Sequence, residues 1–73
     1  MMEVTAKTRF NSSKQRIESF GGNRYMVYLT FAEDGDSINT IKAMLSRYLG
    51  VPEKRITLKN RNAVSGDFVF SVD

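Results

Sequence analysis

Residues 3–10 alternate in character: Val4, Ala6, Thr8 and Phe10 share one parity, and Glu3, Thr5, Lys7 and Arg9 share the other. Successive side chains of a strand point to opposite faces, so this segment predicts a strand with one dry side and one wet side. Residues 15–20 and 24–31 flank Gly21-Gly22-Asn23, which tolerates positive φ without steric cost, and the arrangement predicts a hairpin. The second hairpin strand sets Tyr25, Val27, Leu29 and Phe31 on one face, with Met26, Tyr28 and Thr30 on the other. Apolar groups on both faces suit a central position in the sheet.

The period then changes. Ile38, Ile41, Leu45, Tyr48 and Leu49 fall at helical spacing and form one apolar stripe. Asp36 or Ser37 offers an N-cap oxygen, and Asp36 suits the positive end of the helix dipole. Gly50 stands at the C-cap, and Pro52 follows where a helix cannot continue, so the helix is expected over about residues 37–49. Beyond it Ile56 and Leu58 alternate with Arg55, Thr57 and Lys59, and Phe68, Phe70 and Val72 alternate with Asp67, Val69 and Ser71. The pattern reads β-β-β-α-β-β. One amphipathic helix covers one face of such a sheet, which predicts an α+β fold: a two-layer sandwich with a mixed sheet. Strand order stays open at this stage.

The chain has 73 residues, so 1–73 is read as a single domain, with nearly every large apolar residue committed to one core. Cys and His are both absent, which removes disulfides, thiol nucleophiles, the commonest general base and the commonest metal ligand. Tyr25-Met26-Val27-Tyr28-Leu29 is the longest apolar run, far short of the ~20 residues that span a bilayer. The opening Met1-Met2-Glu3 lacks the features of a secretory signal, so a cytoplasmic location and no membrane partner are expected. Net charge is +3, enough to permit an anionic partner without demanding one.

Several stretches resemble the YggU-like family, small α/β proteins with no established biochemical function. The resemblance rests on Asp34, Gly35 and Asn39 before and at the start of the helix, and on the Leu49-Gly50-Val51-Pro52 exit. Ile56 and Leu58 fit the strand that follows. It runs nearly the whole length of the chain, on short motifs, and implies the same β-β-β-α-β-β fold without implying an activity. The chain departs from the family at Asp36, where a Lys is usual, and at Asn60, where a Gly is usual. Ala63-Val64 replaces a Ser-Arg pair, and Gly66 or Asp67 replaces a Lys, so the family's positive cluster is thinned here.

Candidate chemistry is sparse. Glu33, Asp34 and Asp36 offer oxygens to a hard cation, but they lack the regular ligand spacing of a calcium loop. Turn and cap chemistry accounts for them, and no metal site or cofactor is expected. No Ser, Thr, Lys, Tyr or carboxylate stands in a recognisable catalytic arrangement, so the chain is read as a non-enzymatic binding module.

Strand parity makes the uncovered sheet face the most informative feature. It sends Lys7, Arg9, Arg55 and Lys59 outward, joined by Arg16, Met26 and Tyr28. Cations interleaved with an aromatic suit phosphate contact and base stacking, so RNA or an RNA-containing assembly is the leading candidate partner, bound weakly through Lys7, Arg9, Arg16, Tyr28, Arg55 and Lys59. The same pattern also serves a solvated face whose basic residues discourage edge pairing. The alternative partner is a protein, reached through Phe68, Val69 and Phe70 if the last strand lies at a sheet edge, as a homodimer or by peptide pairing. A monomer is otherwise expected. The polar stretch from Asn60 to Gly66, carrying Arg61, is read as a long turn or a recognition loop.

Overall fold

A computed structural model describes residues 2–73. The elements are β1 (Met2–Arg9), β2 (Arg16–Gly21), β3 (Arg24–Tyr28), α1 (Ser37–Leu49), a 3₁₀ turn (Glu53–Arg55), β4 (Ile56–Arg61) and β5 (Phe68–Val72). They form the expected α+β arrangement. The five strands make one mixed sheet in the order β2-β3-β1-β5-β4. β1 runs parallel to β3, and the remaining neighbours pair antiparallel.

Alternation decides which face is covered. Val4, Ala6, Val27, Leu29 and Phe70 are fully buried and join Ile41 and Leu45 of α1, together with Ile56, in one core. Tyr48 departs from the expected stripe: it is 50% exposed, and its ring meets Tyr25 edge-on with centroids 5.4 Å apart. Both helix ends follow local chemistry. Gly50 adopts φ 72°, which only glycine takes cheaply, and Ser46 O accepts hydrogen bonds from Gly50 N at 2.9 Å and Val51 N at 3.2 Å. At the other end the Asp36 side chain makes no cap. Asp34 Oδ1 accepts from Asp36 N at 2.8 Å, and Asp34 N donates to Ser37 Oγ at 2.9 Å, so Asp34 and Ser37 brace the entry together.

The hairpin turn forms as its sequence requires, with positive φ at Gly21, Gly22 and Asn23. β3 stops at Tyr28, short of the expected Phe31, because the β1–β2 connection folds across its end. Ser12 N donates to Leu29 O at 2.8 Å and Asn11 N to Phe31 O at 3.0 Å, with Asn11 at φ 58°. Leu29 keeps its inward parity all the same.

The last strand does not take the edge position on which the protein-partner alternative depended. β5 lies between β1 and β4 and is hydrogen-bonded to both. Phe68 and Phe70 are buried, and Val69 is flanked by Thr5 on one side and Asn60 on the other. Phe68, Val69 and Phe70 therefore present no open ladder to a second chain or a peptide. The sheet edges are β2 and β4.

Candidate nucleic-acid interface

Register places the outward side chains in rows across the sheet. Arg16 faces Tyr28, and Tyr28 faces Arg9, so three strands contribute one row. The next row is Glu18, Met26 and Lys7. A third runs Arg24, Thr5, Val69 and Asn60. Arg24 shares the parity of Met26 and Tyr28, so it adds an exposed cation that the sequence reasoning did not single out.

Tyr28 is the centre of the first row. The Arg16 guanidinium carbon lies 4.5 Å from its ring centroid, a cation–π contact. Arg16 also pairs with Glu18 at 3.0 Å, at an angle that falls short of a hydrogen bond and leaves Glu18 Oε1 without one. Lys7 and Arg9 are exposed and form no ion pair among the described residues. A planar guanidinium suits phosphate through paired N–H donors, and an aromatic ring suits a base through stacking.

Beside this row the loop between β1 and β2 bounds a hollow of about 480 Å³ lined by Arg9, Phe10, Ser12, Lys14, Arg16 and Tyr28. Ser12 Oγ donates to Arg9 O at 3.2 Å and helps fold the loop back. Lys14 enters the cluster only through this loop, which has no period from which its position could be read.

The other two proposed contacts lie apart. Lys59 sits at a bulge between Leu58 and Asn60, and its Nζ is 2.7 Å from Glu3 Oε2, so its charge is already matched. Arg55 is exposed in the 3₁₀ turn, and its carbonyl accepts from Asp73 N at 3.0 Å. That is the Met2 end of β1, roughly 20 Å along the strand from Arg9 at a rise of ~3.3 Å per residue. Lys7, Arg9, Arg16 and Tyr28 are thus brought together, and Arg55 and Lys59 are not.

The bulge has a second effect. It shifts parity beyond Lys59, so that Arg61 pairs opposite Phe68 and lies over its ring at 4.7 Å. Arg61 also grips Glu33 through both terminal nitrogens, and its Nε donates to Gly66 O at 3.1 Å. Donating these hydrogen bonds to the Glu33 carboxylate raises the guanidinium pKa further, against a smaller loss from desolvation. Arg61 joins the β4–β5 turn to the β3–α1 loop in this way, and that occupies the acid at Glu33. The turn is closed by Asn62 Oδ1, which accepts from Val64 N at 2.9 Å and Ser65 N at 3.0 Å. Among the described residues no group of acidic side chains is placed to hold a metal ion.

No family model, curated protein or solved structure matches the chain. Among the described residues no helix is long and apolar enough to cross a membrane.

Proposed function

We propose that the chain is a small binding module of the YggU-like type, monomeric and cytoplasmic, that makes weak contact with RNA or an RNA-containing assembly and catalyses no reaction. The observation that carries this reading is the row Arg9–Tyr28–Arg16 with Lys7 one step away, on the sheet face opposite the one that packs on α1. Phosphates would lie on the cations and a base on the ring of Tyr28. Arg55 and Lys59 stand outside this cluster and are not part of the proposed contact. Binding to a short single-stranded RNA should weaken steeply with added salt and respond to charge changes at Lys7 and Arg9. Salt-independent binding, or binding untouched by Lys7→Glu, would overturn the reading.

A further inference from the structure

We infer that the hollow at the loop end of the open face is a site for a phosphate monoester, the terminal phosphate of a single-stranded RNA. This deepens the RNA reading and rests on it. Arg9 and Arg16 reach the hollow from two strands on either side of Tyr28, and Lys14 reaches it from the loop. Arg9 and Lys14 have no ion-pair partner among the described residues. Glu18 is the acid paired nearby, and it engages Arg16 alone.

Three features favour a strand end over an internal phosphate. A monoester carries about −1.5 to −2 charge near neutral pH and three unshared oxygens, which match cations arriving from separate elements. An internal diester carries a single charge and fewer free oxygens. The segment from Phe10 to Lys14 walls one side of the hollow, which suits a chain that terminates there. Its volume of about 480 Å³ falls in the range of small-ligand sites and suits one nucleotide better than a run.

The test compares one eight-nucleotide RNA carrying a 5′-phosphate, a 3′-phosphate or hydroxyls at both ends, alongside a free mononucleotide. Affinities are read by NMR shift at fixed low salt. One of the phosphorylated ends should bind about tenfold tighter than the hydroxyl-ended strand, a gain typical of one added charge-assisted contact. Lys14→Ala should erase that preference, so that the phosphorylated and hydroxyl-ended strands bind alike. Lys14 is exposed, so this variant should fold normally. A mononucleotide bound as tightly as the phosphorylated strand would assign the site to free nucleotides and overturn the strand-end inference. Equal binding of all three strands would overturn the inference and leave the RNA reading standing. No binding by any strand would remove both.

Discussion

Arg9 and Lys59 were equivalent outward cations by parity, and their surroundings make them unequal. Arg9 stands beside Tyr28 with no acid paired to it, whereas Lys59 is held at 2.7 Å by Glu3 on the far flank of the sheet. If Lys7, Arg9 and Arg16 each neutralise one phosphate, the slope of log affinity against log salt is about −2, from ~0.7 per phosphate on a single strand. Raising salt from ~50 to ~200 mM would then weaken binding about twentyfold. Arg9→Glu should bring the slope to about −1.4 and lower affinity at the lower salt by about tenfold, the scale of one charge-assisted contact. Lys59→Gln should leave the slope unchanged and the affinity within about twofold, since the exposed pair it breaks is worth little. Fluorescence anisotropy with a short labelled RNA at several salt concentrations measures both variants. Equal losses from the two substitutions, or a wild-type slope near zero, would refute the assignment of the contact to the Arg9–Tyr28–Arg16 row.

Other consequences concern the fold and the neighbours of the row. Val69→Pro should abolish folding, because proline removes a ladder hydrogen bond from a strand paired on both sides, and circular dichroism reads the loss directly. Gly50→Ala should cost about 1 kcal/mol, or about 4–8 °C in Tm for a domain of this size, from backbone conformation alone. Open space surrounds the added Cβ there, so a much larger loss would contradict that cause. Glu18→Gln should free Arg16 from its ion pair and tighten RNA binding about two- to threefold in the same anisotropy assay. Weaker binding by that variant would count against a role for Arg16.

The parts of the fold legible in the sequence are those set by local rules. The helix limits follow from a 3.6-residue stripe that ends at a glycine taking φ 72° before Pro52, and the structure has α1 over Ser37–Leu49. The hairpin follows from Gly21-Gly22-Asn23, all at positive φ. Strand order is not a local property. Nothing in Phe68-Val69-Phe70 distinguishes an edge from an interior strand, because burial on one face looks the same in either place. Parity also fails wherever a residue is inserted: it placed Lys59 correctly, while Arg61, beyond the bulge, came to lie over Phe68. The site was legible in the same partial way. Alternation brought out Lys7, Arg9 and Tyr28, but the loop that carries Lys14 has no period. The distance from Arg55 to Arg9 depends on which end of the sheet each occupies, and only the paired strands define that.

The open face around Tyr28 is the surface proposed to meet RNA. A nitrogen–proton NMR titration of the labelled protein with a short mixed-sequence RNA at low salt tests this residue by residue. Shifts are expected at Lys7, Arg9, Lys14, Arg16 and Tyr28 that reverse on adding salt, with Arg55 and the Asn62–Gly66 turn unmoved. Shifts centred on α1 or on that turn, or a spectrum unchanged by RNA, would contradict the proposal.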